Sequence, residues 1–372
     1  MTKPRGKPES ASPEFAPRRR AIAATLAERK LDAFLVAFSP NLRYLTGFTG
    51  SHGNLLLTPS ESILFTDPRY AIQAEAESGD CRIAIVKGRL VPAIAAAIAK
   101  LGLKRIGYEP ARMTCEHYES LKASLPMRAS LHPAAGSVED LRMLKSPAEI
   151  ERIRRSVHTN SRAFEQAAAR LRPGVKERDF AAELEYRMRR LGAEKPSFET
   201  IVAGGVRSAL PHAQPTAAPL LAGGLVMVDM GAFVDGYASD MTRMLFLGRP
   251  DAKVKRTYQA VLEAQLAAID AVRAGVPAAR VDRAARATLK AHGLDRAFVH
   301  ATGHGLGLEI HEPPRLGARE KTRLQAGMTI TVEPGVYLEG WGGIRIEDTI
   351  LVTANGCEIL TGTSKQLRAV VP

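Results

Sequence analysis

The chain has 372 residues, of which 45% are apolar and 24% charged, and its formal net charge is +13. This length is too great for one ordinary hydrophobic core and predicts two domains of a soluble, globular protein. The basic residues are scattered, without the basic and aromatic platform of a single-strand binding surface, so we interpret the charge as a basic surface and expect no nucleic-acid partner.

The first segment, "MTKPRGKPESASPEFAPRRR", is polar and proline-rich and lacks the hydrophobic core of a secretory signal. We therefore predict a disordered basic tail over residues 1–18. The longest apolar run, ten residues from Leu90, is too short to cross a bilayer, so no membrane association is expected. The cysteines are few and widely spaced, which suits a reducing compartment and predicts a cytoplasmic protein; they are Cys81, Cys115 and Cys357.

Residues 19–140 alternate short apolar runs with helix-like segments, which predicts an α/β domain. The runs begin at Ala33, Gly53, Ser62 and Arg82, and helix-like segments include "RRRAIAATLAERKLD", "RYAIQAEAES" and "LVPAIAAAIAKLG". The pattern then changes. Ser146 as N-cap, Pro147 at the first helical position and Glu149 two residues further predict the start of a long amphipathic helix. The domain boundary is expected near residue 140, with a second domain over 141–372.

The sequence of the second domain contains an internal repeat. A shift of 101 residues brings Gly174-Val175 onto Gly275-Val276, and Phe180 onto Val281. In both copies a helical stretch precedes this segment and a β-rich stretch follows it. The repeat predicts a duplicated helix–hairpin unit and a domain with two-fold pseudo-symmetry.

The first β-rich stretch, "GLVMVDMGAFVDGYASDMTRMLFLG", carries Asp229 and Asp240 on either side of a hairpin turn at Asp235-Gly236. Two registers are open. A turn centred between Val234 and Asp235 opposes the two carboxylates directly. A turn centred on Asp235-Gly236 places Asp229 opposite Thr242, with Asp240 as a diagonal neighbour. Both registers put the carboxylates on one face of the hairpin, because side chains alternate with period two.

The second β-rich stretch, "MTITVEPGVYLEGWGGIRIEDTILV", repeats this arrangement with Glu333 and Glu347 around a loop centred near Gly340. Two bare carboxylates about 4 Å apart repel by about 4 kcal/mol at an effective dielectric constant near 20. A single acidic residue on a strand would indicate only a solvent-exposed face. Two opposed pairs at matching places in a repeat favour a shared cation instead.

Four carboxylates nearly balance the charge of two divalent cations. Oxygen-rich ligation with one or two imidazoles and no thiolate suits manganese, cobalt or zinc. Two such ions about 3.5–4 Å apart acidify a bridging water and stabilise a tetrahedral oxyanion.

Three of the nine histidines lie within "HATGHGLGLEIH", at His300, His304 and His311. The intervening glycines argue against a helix, and no glutamate follows His300, so this is not a helical H-E-x-x-H zinc site. Glycines let the backbone approach a ligand closely. Because the same domain carries the carboxylate pairs, we predict one metal ligand and two substrate-facing imidazoles here, and the spacing does not decide which histidine is the ligand.

These segments, in this order, resemble the pita-bread metallopeptidases, which include aminopeptidase P, prolidase and methionine aminopeptidase. The resemblance rests on "TIVAGGVRSALPHAQPT", "VDMGAFVDGYASDMTR", "HATGHGLGLEIHEPP", "TVEPGVY" and "GGIRIEDT". The first half is similar to the N-terminal domain of creatinase and prolidase, through "NLRYLTGFTGSHG" and "FTDPRYAIQAEAE". Together, the two resemblances imply an α/β (α+β) chain, with a creatinase/prolidase-like domain followed by a pseudo-symmetric pita-bread catalytic domain.

The resemblance also implies roles for individual residues. Its metal ligands fall on Asp229, Asp240, His304, Glu333 and Glu347, with Asp240 and Glu347 bridging two divalent ions, for which manganese is expected and cobalt or zinc are the alternatives. Glu333 is in addition the implied general base. The remaining site residues implied as catalytic or substrate-binding are His212, a candidate proton shuttle, His300, His311 and Arg345.

The complete ligand set distinguishes the chain from creatinase and from non-catalytic histone-chaperone and proliferation-associated relatives, which the resemblance implies would lack ligands. The N-terminal domain and Arg345 separate it from methionine aminopeptidases. What remains is cleavage next to proline. We expect an Xaa-Pro aminopeptidase acting on peptides with proline in second place; the alternative is prolidase, an Xaa-Pro dipeptidase, and a more remote one is a non-catalytic binding module. The resemblance also implies a homodimer.

Overall fold

The computed structural model describes residues 14–370, so most of the predicted tail lies outside the described residues. The chain divides into two compact units between Arg142 and Met143. The domain limits 19–140 and 141–372 stay predictions, although this division falls close to them. No helix among residues 14–370 is both long enough and apolar enough to cross a membrane.

The last residues of the predicted tail are helical, so the expected disorder up to residue 18 is wrong for residues 15–18. Helix α1, Phe15–Glu28, begins before the basic run. Arg18 and Arg19 are buried because their guanidinium groups donate to the carbonyl oxygens of Tyr44 and Leu45, at 3.1 and 2.7 Å. These acceptors lie 26 residues away in sequence, which is why composition alone did not reveal them.

The first unit is a mixed six-stranded sheet of order β4-β3-β2-β1-β5-β6. Its strands are β1 Ala33–Val36, β2 Gly53–Leu57, β3 Ser62–Thr66, β4 Arg82–Ile85, β5 Arg105–Tyr108 and β6 Ser130–Pro133. Its other helices are α2 Ser39–Thr46, α3 Ala71–Ser78, α4 Leu90–Lys100, α5 Cys115–Ser124 and, at the division between the units, α6 Glu139–Met143. The four predicted apolar runs are β1 to β4, which confirms the α/β architecture of this unit.

The second unit contains two larger sheets, of order β20-β12-β9-β8 and β14-β13-β15-β18-β19. Its helices are α7 Pro147–Ala168, α8 Glu177–Arg190, α9 Ala252–Asp270 and α10 Ala278–Ala291. Its strands are β7 Lys195–Pro196, β8 Ile201–Gly204, β9 Leu225–Met230, β10 Ala232–Val234, β11 Tyr237–Ala238, β12 Met241–Leu247, β13 Gly303–Gly305, β14 Glu312–Leu316, β15 Thr329–Val332, β16 Gly335–Leu338, β17 Gly342–Arg345, β18 Asp348–Val352, β19 Cys357–Ile359 and β20 Arg368–Val370. Helix α7 begins with the predicted capping box of Ser146 and Glu149.

The predicted repeat is a structural one. Helices α8 and α10 each have 14 residues and are related by the shift of 101. The amide of Gly174 donates to Leu220 O before α8, and that of Gly275 donates to Leu324 O before α10, both at 2.8 Å. Both glycines have positive φ, 91° and 84°, which glycine adopts without the Cβ penalty of other residues. The two-fold pseudo-symmetry of the second unit is therefore confirmed down to individual hydrogen bonds.

Each helix pair covers a hydrophobic core against strands of its own half. Helices α7 and α8 pack Phe164 and Leu184 with Val228 of β9, whereas α9 and α10 pack Val261 and Leu289 with Ile330 of β15. These cores fix the hairpins, and the hairpins carry the acidic residues of the candidate site.

Candidate metal centre and active site

The first hairpin adopts the second of the two predicted registers. Asp229 pairs with Thr242 across β9 and β12, and the turn is at Asp235-Gly236, where both residues have positive φ. Asp240 lies just before β12, two residues from Thr242 and thus on the same face. The Asp-Gly turn fixes this register because a two-residue turn with two positive φ values matches the twist of the strands.

The second hairpin is centred on Gly340, as predicted. Val332 pairs with Asp348 on one side of the site, and Gly335 pairs with Arg345 on the other. Between these pairs, Glu333 and Glu347 lie opposite each other. Asp348 takes the other face and is fully buried against Arg243, Gln265 and Lys365.

The structure brings the acidic pairs of both hairpins together with His304. Ligand atoms of Asp240, His304 and Glu347 lie within 4.8 Å of one another. The Nε2 atom of His304 is 3.6 Å from Asp240 Oδ2 and 3.5 Å from Glu333 Oε1. Asp229 lines the same cavity. All five predicted ligands are therefore gathered at one place, while their ligand roles stay a prediction.

The polar atoms of this cluster fit a bound cation. The His304 Nδ1 group donates to Gly305 O at 3.0 Å, so in a neutral ring the Nε2 atom has a lone pair facing carboxylate oxygens. Among the described residues, Asp229 Oδ1 and Glu347 Oε1 are buried without a hydrogen-bond partner. Unpartnered buried acceptors are costly unless a cation or proton lies between them.

The carboxyl pKa values show the same excess of negative charge. Burial, reinforced by repulsion from Glu347, raises the pKa of Asp240 well above its usual range. Burial and repulsion from Glu333 do the same for the pKa of Glu347. Burial also raises the pKa of Glu333 to about 7, although Arg345 opposes this shift. Divalent cations would relieve this repulsion.

The glycines around His304 pack against protein backbone, not against a ligand as the sequence suggested. A Cβ atom at Gly303 would lie 2.0 Å from Thr331 O, and one at Gly305 would lie 2.2 Å from Pro313 O. Glycine is needed here because β13 is held tightly between β14 and β15. The pairing of β13 with β14 also shifts register after His304, an irregularity of the kind that re-aims side chains at active sites.

The other predicted site residues line a cavity of about 860 Å³ together with the ligand cluster. They are His212, His300, His311 and Arg345. The rings of His304 and His311 are 4.3 Å apart between centroids. Burial lowers the pKa of His311, so its ring is neutral near pH 7.

His300 and Arg345 are both engaged within the protein. Burial lowers the pKa of His300 to about 4, its Nδ1 lies 2.8 Å from Ala301 O, and its Nε2 lies 2.8 Å from the hydroxyl of Tyr337. Arg345 donates to Asp229 at 2.6 Å and to the same Tyr337 hydroxyl at 2.7 Å. Both side chains therefore orient neighbouring groups, and the substrate-binding role expected for them from the sequence stays a prediction.

Two polar partners of the cluster, Thr242 and Tyr337, were not predicted from the sequence as site residues. Thr242 receives a hydrogen bond from Arg345 at 3.0 Å and donates one to Glu347 at 2.8 Å, linking the two hairpins. Tyr337 joins Arg345 to His300. The register would have placed Thr242 beside the site, because it is the cross-strand partner of Asp229. Nothing in the local sequence around Tyr337 predicts its bond to His300, 37 residues away.

Two family models match the chain. The model described as metallopeptidase family M24 matches residues 151–354, and the creatinase/prolidase N-terminal domain matches residues 18–144. An Xaa-Pro dipeptidase from Pyrococcus horikoshii is 36% identical, over 93% of this chain and 97% of that protein.

Solved structures show similarity over nearly the whole chain. An Xaa-Pro dipeptidase from Bacillus anthracis superposes with a TM-score of 0.93 at 36% identity, covering 96% of this chain and all of that one. An X-Pro aminopeptidase from Thermotoga maritima superposes with a TM-score of 0.86, also at 36% identity, covering 92% of this chain and 99% of that one.

Proposed function

The chain belongs to metallopeptidase family M24, and we propose that within this family it is a prolidase, which hydrolyses Xaa-Pro dipeptides with two divalent cations held by the carboxylate–histidine cluster. From the sequence we expected an Xaa-Pro aminopeptidase, but the named relatives support the alternative, the dipeptidase, better. Manganese is the proposed metal, because four carboxylates and one imidazole form a mainly oxygen donor set. When bound, the two cations would supply Lewis-acid activation of water and of the substrate carbonyl.

The residues around the proposed cations have separate roles in binding the metal and in transferring protons. Asp240 and Glu347 are proposed to hold both cations, Asp229 one of them, and His304 with Glu333 the other. Glu333 lies 3.5 Å from His304 and lines the same cavity, so its carboxylate is suited to accept a proton from the attacking water and release it later in the cycle.

The proline nitrogen leaves as an amine and needs a proton. His212 is exposed and lines the cavity, so it can pass protons between substrate and solvent. The neutral His311 ring, beside His304, is proposed to donate a hydrogen bond to the developing oxyanion. His300 acts less directly, through Tyr337 and Arg345.

The observation that carries the dipeptidase assignment is the position of Arg315. It is the cross-strand partner of His304 and lines the cavity. In an Xaa-Pro dipeptide the terminal carboxylate follows the scissile bond by one residue. An arginine that lines the same cavity as the carboxylate–histidine cluster is thus suited to bind that carboxylate, because the planar guanidinium group can pair with a carboxylate through two hydrogen bonds.

One observation favours the aminopeptidase as second candidate. The cavity of about 860 Å³ is larger than a dipeptide requires and extends along Glu199, Gln214 and Thr322. A longer peptide could occupy this extension. The similarity to the Thermotoga aminopeptidase is consistent with that candidate.

A comparison of Xaa-Pro dipeptides with Xaa-Pro-Xaa tripeptides in the presence of manganese tests the assignment. We expect faster hydrolysis of dipeptides. Arg315→Gln should lower kcat/KM for the dipeptide at least about tenfold, mainly through KM, because a charge-assisted hydrogen bond is lost. Arg319→Gln, a nearby exposed arginine outside the cavity lining, is the matched control. Faster tripeptide hydrolysis, unaffected by Arg315→Gln, would establish the aminopeptidase.

The non-catalytic binding module is tested by metal analysis. A peptidase of the proposed type should retain close to two divalent ions per chain, whereas a binding module should retain no stoichiometric metal. The homodimer and the cytoplasmic location stay predictions.

A further inference from the structure

The loop that follows β8 carries His212 and is held at both ends by one buried carboxylate. Glu177, the first residue of α8, is 1% exposed. Its Oε1 accepts the amide of Gly204, at the start of the loop, at 2.8 Å. Its Oε2 accepts the amide and the hydroxyl of Thr216, at the end of the loop, at 2.9 and 2.7 Å. The two carboxylate oxygens thus close a loop whose middle presents His212 to the cavity.

Arg207 completes this closure from inside the loop. Its Nε atom lies 3.1 Å from both oxygens of Glu177, and its Nη2 atom donates to Gln214 O at 2.7 Å. The pairing balances the buried charge, and each link adds a hydrogen bond between segments that flank His212. The ring of His212 is exposed, so the loop backbone determines where it lies.

The pseudo-symmetric half of the unit shows that the fold does not require this carboxylate. Glu177 corresponds to Ala278 by the shift of 101. The backbone bonds around the two positions are the same: Glu177 N–H donates to Ala218 O at 3.0 Å, and Ala278 N–H donates to Thr322 O at 2.9 Å. A helix of the same length begins at both places. The carboxylate is therefore an addition specific to the half whose loop carries His212.

We propose that Glu177 is a positioning residue that fixes the loop of residues 204–216 and, through it, places His212 for proton transfer. This inference rests on the proposed function, in which His212 moves protons. It predicts that Glu177 influences turnover only through His212 and does not influence metal binding.

Glu177→Gln is a sharp test because it preserves size and removes one acceptor. A glutamine must present its NH₂ group to the donors at either Gly204 or Thr216, leaving a buried donor facing another donor. Such a mismatch destabilises the closed loop, so we expect hydrogen–deuterium exchange of the 204–216 amides to accelerate at least about tenfold. Glu183→Gln, on the same helix and in an i,i+4 pair with Arg187, is the matched control and should leave this exchange unchanged.

A double-mutant cycle with His212→Ala separates positioning from general destabilisation. Glu177→Gln should lower kcat at least about tenfold with metal content retained. In the His212→Ala background it should cause no further loss of kcat, because the effect of Glu177 on turnover requires the His212 side chain. If Glu177→Gln folds poorly, Thr216→Val, which removes one donor to the same carboxylate, should show the same non-additivity with a smaller loss.

Two results would overturn the inference: unchanged exchange of the loop in Glu177→Gln, or an equal fractional loss of kcat with and without His212. Failure of the proposed function would look different. A wild-type chain that hydrolyses no Xaa-Pro peptide would refute the function, and the exchange measurement would still decide whether Glu177 holds the loop.

Discussion

The two halves of the catalytic unit share a backbone plan but stabilise their functional loops at different points. In the first half Glu177 ties together the loop that carries His212. In the second half the counterpart of Glu177 is Ala278. The buried carboxylate there is Asp282, whose own counterpart in the first half is Ala181, and it anchors the segment that carries His300. Asp282 accepts from Thr302 at 2.9 Å and from Arg286 at 2.8 Å, and Arg286 donates to His300 O at 2.6 Å.

The difference shows how a duplicated unit can become an asymmetric site. The backbone hydrogen bonds that both halves require are retained, so the sheets keep matching hairpins. The buried carboxylates differ because the loops they hold carry different histidines. The symmetric part provides the paired carboxylates that are proposed to hold the cations, and the asymmetric part provides His212, which is proposed to transfer protons.

The largest effect is expected at the carboxylates that both halves share. Glu347→Gln keeps the side-chain size but removes one of the negative charges that are proposed to hold the cations. At least one metal should bind much more weakly, and kcat should fall at least about a hundredfold, or about 2.7 kcal/mol of barrier. Metal content after gel filtration and steady-state kinetics measure both.

The neighbouring residue is the control for this register. Asp348 lies on the opposite face, where it pairs with Arg243 at 2.7 Å and Lys365 at 2.6 Å. Asp348→Asn should lose stability while keeping both metals. Loss of metal from Asp348→Asn but not from Glu347→Gln would show that the strand register assigned to the second hairpin is wrong.

The next effect is specific to one half. His212→Ala should lower kcat at least about tenfold, because general acid–base groups contribute at least that much, while both metals remain bound. His304→Ala, which removes the proposed ligand histidine of the other half, should lose metal as well as turnover. If His212→Ala released both metals from a folded chain, the division between metal-binding and proton-handling residues would be wrong.

The acidic pairs predict how metal binding depends on pH. Burial raises the pKa values of Asp240 and Glu347, and that of Glu333 to about 7, so the metal-free site takes up protons as the pH falls through this range. Cations must displace these protons, and their affinity should fall about tenfold per pH unit for each proton displaced.

The stability of the metal-free protein depends on pH in the opposite direction from the metal affinity. Carboxyl groups whose folded-state pKa is raised stabilise the fold at low pH, and this contribution is lost as the pH rises from about 4.5 through about 7. Added manganese should therefore raise Tm more at pH 8 than at pH 6. Thermal unfolding with and without metal at both pH values is the measurement, and a larger increase at pH 6 would contradict it.

The smallest effect is expected at the buried carboxylate of the second half. Asp282→Asn replaces one acceptor with a donor beside Thr302 and Arg286, which should lower the free energy of unfolding by about 1–3 kcal/mol. Arg283→Gln, exposed on the same helix, should change it by less than about 0.5 kcal/mol. Urea unfolding distinguishes them. Equal effects would mean that Asp282 does not anchor the His300 segment.

The sequence alone determined the features that depend on local chemistry and short periods. The capping box at Ser146 fixed the start of α7, and the turn at Asp235-Gly236 limited the first hairpin to two registers that place both carboxylates on one face. The 101-residue shift located α8 and α10. The first two follow from hydrogen bonds or alternation within a few residues, and the repeat is found by aligning the chain with itself, so a single sequence carries all three signals.

Only the tertiary structure decided which distant groups meet. Residues 15–18 became helical because Arg18 and Arg19 reach acceptors in α2, which a composition-based tail assignment could not include. Arg345 meets Asp229 across 116 residues, and Glu177 meets Thr216 across 39. Such contacts depend on how sheets and helices pack, because a buried charge selects its partner from whatever the fold places within hydrogen-bond distance, and sequence spacing does not encode that distance.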